Sequence, residues 1–372
     1  MSLSAADRRI RALRPPKRAV DPHTAHGSLL EEERRPNGHV ERTLTVFLAG
    51  AECPFTCSFC DLWQWTLDGP TPPGALVVQL ERVLHSLDAP PPDRLKLYTA
   101  SNFFDRRAVP REDHAALARL AAPFGGVTVE SHASTIGPAT AEFAQTIAGR
   151  LEVAIGLETV HPRAMAELNK RLDLPRFEAA ARFLAAEGID LRTFVLLGAP
   201  HVPDDESVDW TVRTVEYAVK HGAAVVSIIP VRGGNGEMER LRALGAFTPP
   251  RLAQLEAALD RCIALGRTVV TADLWDVERL PGCDACRSRR IERLARMNVT
   301  GCAEPSVECE VCGVQMPRLA SLARDDTQDA ALARDDTGGH PERSAQRGVE
   351  GSALVRATAL ARDDAGDGPV RG

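Results

Sequence analysis

The chain has 372 residues, 44% of them hydrophobic and 26% charged, with a formal net charge of -6. That length supports one large α/β domain plus a smaller unit. The acidic balance argues against nonspecific duplex binding, and aromatics at 5% are too sparse for a wide base-stacking surface. No apolar run approaches a membrane span. The opening "MSLSAADRRIRALRPPKR" has basic residues but no apolar stretch behind them, so neither a membrane anchor nor a signal peptide is expected. The expected compartment is a reducing cytoplasm, where thiols stay free or bind metal.

Residues 1–39 read as an N-terminal arm. From 40 to 275, β-rich runs alternate with helical patterns. The runs are "TLTVFLAG" (43–50), "LKLYT" (95–99), "VTVES" (127–131), "LEVAIGLE" (151–158), "LRTFVLLG" (191–198) and "AVVSIIPV" (224–231), with "TVVTADLW" (268–275) as a further candidate. "RFEAAARFLAAEG" carries Phe177, Ala181 and Leu184 on one stripe and stops at Gly188. "DDESVDWTVRTVEYAVKHG" offers Asp204, Asp205 or Ser207 as N-cap and stops at Gly222. "PPRLAQLEAALDRCIALG" opens on proline and closes on Gly266, with Cys262 as a small core residue. Strand, helix, strand at this spacing builds a parallel sheet with right-handed crossovers. The fold class expected is α/β, a partial (β/α)6 TIM-like barrel, because no GxGxxG follows the first strand to support a dinucleotide fold. Barrel sites lie at the carboxyl ends of strands.

"AECPFTCSFCDLW" (51–63) begins at such an end. It places Cys53, Cys57 and Cys60 within eight residues, with no histidine. Three thiolates at these spacings can hold three corners of a [4Fe–4S] cube and leave one iron open, whereas zinc would want a fourth ligand nearby. CxxxCxxC with Phe59 before its last cysteine resembles the signature of the radical S-adenosylmethionine (SAM) superfamily. The resemblance spans roughly residues 40–275. It implies that the three cysteines hold the cluster, that the open iron chelates the amino and carboxylate groups of SAM, and that reduction cleaves SAM to a 5′-deoxyadenosyl radical. Many members carry Gly-Gly-Glu after the second strand; here "YTASNFFD" puts Ser101 and Asn102 in that place, with oxygens that still accept hydrogen bonds. Glu130 and Glu158 end neighbouring strands and suit a ribose hydroxyl or a sulfonium, or else cap helices or pair with an arginine such as Arg192. His132 reads as a proton carrier or a structural histidine. "VRGGNGEME" (231–239) is placed to close the barrel mouth.

Residues 276–317 read as a small cysteine-rich metal-binding segment. Cys283 and Cys286 form one CxxC, and Cys309 and Cys312 another, 22 residues on. Two such turns suit one zinc, while Cys302 as a fifth thiol keeps an auxiliary iron–sulfur cluster open. Residues 318–372 repeat LARDD three times and read as a disordered low-complexity tail.

"TVFLAGAECPFTCSFC", "YTASNFFDRRAVP", "VESHA", "EVAIGLETVHP", "LNKRLDL" and "FVLLGAP" resemble the methylthiotransferase/Elongator-like branch, above all the radical subunit of archaeosine synthase and its bacterial relatives. That resemblance implies a substrate in a modified transfer RNA base, an electron donor such as flavodoxin or ferredoxin, and room for a partner subunit. "RRIRALRPPKR" and "RSRRIERLAR" read as phosphate contacts or as solvated basic faces. The other readings are a radical SAM enzyme for a small molecule or peptide, and a noncatalytic Fe–S/zinc protein that binds a partner.

Overall fold

The sheet opens on a strand laden with charge. In the computed structural model, which describes residues 3–87 and 90–313, Ser4 and Asp7 close a capping box on helix α1 (Ala5–Leu13). Strand β1 (Gly27–Arg34) then runs antiparallel to β2 (Val40–Phe47). The region expected as an arm is thus built into the sheet. The expected tail at 318–372 lies outside the described residues.

From β2 onward every pairing is parallel. Helix α2 (Ala75–His85) leads to β3 (Arg94–Tyr98), α3 (His114–Leu120) to β4 (Gly126–Glu130) and α4 (Pro138–Thr146) to β5 (Arg150–Glu158). Helices α5 (Pro162–Glu167) and α6 (Leu174–Ala186) precede β6 (Asp190–Leu197), and α7 (Ser207–Lys220) precedes β7 (Ala223–Pro230). Helices α8 (Glu237–Ala243) and α9 (Leu252–Ala264) precede β8 (Val269–Ala272), and α10 (Arg287–Thr300) follows it. The spatial order is β1 to β8 in sequence order, a curled partial barrel. The further candidate strand is present as β8. Gly188, Gly222 and Gly266 take positive φ (67°, 87° and 63°) where the helices stop. None of the expected residues caps α7; Ser207 instead accepts the Gly198 N–H at 2.9 Å. Cys262 is buried in the core, as expected. No helix among the described residues is long and apolar enough to cross a membrane.

Alternation sorts each strand into two faces. Leu44, Val46, Leu95, Leu97, Val127 and Val129 pack outward with the helices. The inward face near the amino ends is ionic. Glu152 accepts from Arg192 (2.7 Å) and Arg35 (2.6 Å), and Glu33 of β1 accepts from Lys96 (2.7 Å) and pairs with Arg192 (2.8 Å). Arg94 donates to Glu41 at 2.7 Å. Burial works against each carboxylate, but Arg192 and its neighbours hold Glu152 well below the usual carboxylate range and bring Glu33 down to about 2. This layer fills the barrel floor. Truncating Arg192 leaves two buried carboxylates short of their main partner. Arg192→Ala is expected to cost roughly 3–5 kcal/mol, read as a fall in the urea midpoint of unfolding.

Candidate functional site

Residues 52–61 form neither helix nor strand, so their polar groups need partners from elsewhere in the chain. Three asparagines and one aspartate supply them. Asn169 Nδ2 donates to Thr56 O (2.9 Å), Thr56 Oγ1 (2.8 Å) and Asp7 Oδ1 (3.0 Å). Thr56 Oγ1 donates in turn to Asp7, which is fully buried on α1. Burial opposes the Asp7 charge, yet hydrogen bonds from Thr56, Asn169 and Ser4 hold its carboxyl well below the ordinary range. Asn235 Nδ2 donates to the carbonyls of Ser58 (2.8 Å) and Cys60 (3.2 Å) while its Oδ1 accepts from Met238 N (2.8 Å). Asn102 Nδ2 donates to Cys53 Sγ at 3.4 Å, and its Oδ1 accepts from His132 N at 2.8 Å.

Lys170 stands beside the thiols. It pairs with Glu158, and Gly156 leaves the space for that pair, because a Cβ there would meet both charged groups. Burial disfavours the Lys170 charge, but Glu158 and Cys57 outweigh it and raise its pKa above the ordinary lysine value. Burial pushes all three thiols up: Cys53 above its ordinary value, Cys57 well above it, and Cys60 to about 12. The Lys170 cation works the other way on each. Thiols so poised resist ionisation until a metal replaces the proton.

The arrangement fits the cluster that the motif implies. Among the described residues, one set of three or more His, Cys, Asp or Glu ligand atoms gathers within 4.8 Å, and it is Cys283, Cys286, Cys309 and Cys312. Cys53, Cys57 and Cys60 are not all within that distance of one another. At the rim, Ser101 Oγ is buried without a hydrogen-bond partner, and His132 Nε2 lies beside the Lys170 backbone without a well-formed bond.

Other expected residues go to different work. Glu130 accepts the Thr99 N–H at 2.8 Å, with Ala100 and Ser101 beside it, and fixes the turn after β3. Glu158 reaches Lys170, not Arg192, because the register slips between Gly156 and Glu158 and turns its side chain toward the mouth. His132 lies tilted against Phe55, ring centroids 4.2 Å apart, and burial first, then Lys170, lower its pKa to about 3. The 231–239 loop does meet the cysteine loop, through Asn235. Cys302 is exposed and stands outside the four-cysteine set.

Several residues of the basic stretches pair within the chain. Arg9 pairs with Glu237, Arg14 with Glu52, and Lys17 with Asp68. On α10, Arg290 and Arg293 pair with Glu256, and Arg296 with Glu304.

A partial parallel barrel whose first barrel strand delivers three cysteines to its mouth is the class that this fold and site define. The cysteine loop keeps the CxxxCxxC spacing that resembles the radical SAM signature, here at the mouth of a partial barrel. In sequence the chain is similar to the heme chaperone HemW of Mycobacterium tuberculosis, 31% identical over 209 residues that cover 53% of this chain and 52% of that protein. The chain therefore spans about half the length of the curated relatives it matches. In structure it is similar to methylornithine synthase (PylB), with a TM-score of 0.46, 14% identity and 75% of each chain covered. It is also similar to a radical SAM methyltransferase from Sphaerobacter thermophilus, with a TM-score of 0.45, 16% identity, and 66% and 73% of the two chains covered. No family model matches the chain.

Glu130 gives this site a pH signature. Burial raises its pKa from 4.5 to about 7, so the folded state favours the protonated carboxyl. Its contribution to stability is complete below 4.5 and is lost as pH rises through about 7. In thermal melts across that window, Glu130→Gln is expected to flatten the fall in stability.

Proposed function

We propose that the chain is a radical SAM enzyme that cleaves SAM reductively and starts radical chemistry on a substrate carrying a flat ring. Cys53, Cys57 and Cys60 hold the [4Fe–4S] cluster, and Ser101, Asn102, Glu130 and Glu158 belong to the rim around SAM. When bound and reduced by a donor such as flavodoxin or ferredoxin, cluster and cofactor together supply a hydrogen-abstracting radical. The chain's own residues do the positioning. Asn102 donates to the Cys53 sulfur and steadies it. Lys170 offsets negative charge on the thiolates, with Glu158 keeping that cation in place. Asn169, Asn235 and Asp7 fix the loop so that three sulfurs face one cavity. Ser101 Oγ offers a free hydroxyl to the cofactor, and Glu130 acts one step back by setting the 99–101 turn. The carrying observation is this clamped three-thiol loop at the mouth of the barrel.

The ring-bearing substrate is supported by the lumen. Phe47, Tyr98 and Phe194 come from three strands onto the inward face above the ionic layer, and Trp275 follows β8. Phe47 lies 6.4 Å from Tyr98 and 6.1 Å from Trp275, and Tyr98 lies 6.2 Å from Phe194, between ring centroids. Their rings keep partial exposure, Trp275 at 52%, which leaves faces for stacking. We read the substrate as a modified base of transfer RNA, on the resemblance to the archaeosine synthase subunit. With several residues of the basic stretches paired within the chain, recognition would rest on the base more than on phosphates. A free small molecule with such a ring, or a peptide, is the other reading.

Anaerobically reconstituted protein is expected to bind iron and sulfide and to form 5′-deoxyadenosine from SAM after reduction, and Cys57→Ala to lose all three. Cleavage retained in that variant would refute the ligand assignment, and a wild-type protein that binds iron without cleaving SAM would favour a noncatalytic partner-binding protein. Comparing transfer RNA nucleosides from cells with and without the gene tests the substrate: an unchanged profile selects the small-molecule or peptide reading.

A further inference from the structure

The C-terminal cysteines serve a different end. We propose that Cys283, Cys286, Cys309 and Cys312 hold one tetrahedral zinc ion, not a second iron–sulfur cluster, and that this ion locks the helix closing the open side of the barrel. The inference does not rest on the radical chemistry, since no residue is shared between the two sites.

Spacing identifies the ion count. Cys283 Sγ lies 4.0 Å from Cys309 Sγ, and Cys286 Sγ lies 3.9 Å from Cys312 Sγ, with all four inside 4.8 Å. Zinc–thiolate bonds of about 2.3 Å in a tetrahedron set the sulfurs about 3.8 Å apart. A cube binds each cysteine to its own iron and spreads the sulfurs wider. Cys302, the thiol that kept a cluster in play, is exposed and outside the set. The backbone is shaped for the same purpose. Gly313 N donates to Cys309 O at 3.0 Å, and Gly313 takes φ +61°, so the CEVCG turn presents both of its thiols on one side. Cys286 stands at the N-cap of α10, and the Arg290 side chain lies against its sulfur.

What the ion would lock follows from where α10 lies. The sheet ends on β1 at one side and β8 at the other, and α10 packs against both. Asn298 takes the place of a missing strand: its Oδ1 accepts from Ala272 N and its Nδ2 donates to Ala272 O, each at 2.8 Å. Residues 301–308 then return along α10 without regular structure, tied by Arg293 to Pro305 O (2.9 Å) and by Arg289 to Glu308 O (3.2 Å). The four thiols join the start of α10 to the end of that return. One ion would thus fix both ends of the segment that covers the gap in the barrel.

Metal content and hydrogen exchange test the two halves of this proposal. Full-length wild-type protein is expected to carry about one zinc per chain. Cys312→Ser should lose that zinc and keep its iron, Cys57→Ala should lose iron and keep zinc, and Cys302→Ser should change neither. Cobalt substituted for zinc should show the intense visible bands of a tetrahedral thiolate site. A second set of iron and sulfide lost with Cys312, iron without sulfide in this site, or no metal there would overturn the zinc assignment. These readouts stand whether or not SAM is cleaved. For the lock, stripping zinc from the wild-type protein should speed amide exchange in 283–313 and along β8 while β4 and β5 keep their protection. Exchange unchanged after zinc removal would overturn that role.

Discussion

A loop without secondary structure must find partners for its peptide groups, and that constraint organises the whole mouth of this barrel. Residues 52–61 are held through the Thr56 hydroxyl and carbonyl, the Ser58 amide and carbonyl, and the Cys60 carbonyl. The partners come from α1, from the segment between α5 and α6, and from the turn before α8. Among them are the short polar side chains of Asn169 and Asn235, rigid enough to fix distances. An amide donor satisfies a carbonyl without adding net charge to a site whose thiolates already bring three. Aspartate appears only at Asp7, set back behind Thr56.

The same economy of charge explains the inside of the barrel. A lumen of wholly apolar side chains would fill completely and leave no room at the mouth, as in barrels packed by branched residues. Here the floor is ionic and fixed. Glu33, Glu152, Arg35 and Arg192 bond one another, so each charge is balanced where water cannot reach. Such a layer stabilises little in itself, because desolvation offsets most of the attraction. Its value lies in rigidity: the strands cannot slide without breaking paired charges. The aromatic rings above it therefore stand on a fixed base.

Much of this was legible in the sequence and some was not, for physical reasons. The seven parallel strands announce themselves because their outward faces are apolar. Strand β1 was invisible: "GSLLEEER" turns Glu31 and Glu33 to Lys96, and a strand whose inward face is acidic has no apolar period to detect. Glu158 was placed correctly at a strand end, but its partner was misjudged. Arg192 lies two residues into β6, opposite Ala154 in register, and reaches back to Glu152, whereas Glu158 stands beyond the register slip at Gly156 and pairs with Lys170. Asn169, Lys170 and Asn235 were missed as side chains that matter, since a lone polar residue in a loop has no periodicity. The available signals were weak. "LNKR" followed a short helix, and an asparagine sat inside the glycine-rich turn already suspected of closing the mouth.

Backbone strain marks the same end of the molecule. Among the described residues, six other than glycine take positive φ: Ala100, Glu158, Asn169, Arg171, His201 and Asp276. Every one lies beyond the carboxyl end of a strand or at its last residue, and none lies at the amino ends where the ionic layer sits. Left-handed backbone costs of order 1 kcal/mol or more at such residues and persists only where surrounding contacts enforce it. The enforcing contacts are visible. The Glu130 carboxylate gathers the amides around Ala100, the Lys170 cation holds Glu158, and Asp7 binds both Asn169 and Arg171. The alternation of φ sign through Asn169, Lys170 and Arg171 lets three consecutive side chains reach the cysteine loop, Glu158 and α1 in turn. A regular helix or strand could not point three neighbours at those targets. Four of the strained residues, Ala100, Glu158, Asn169 and Arg171, are thus held by contacts that also surround the thiol loop, so the strain there serves to fix the shape of the mouth.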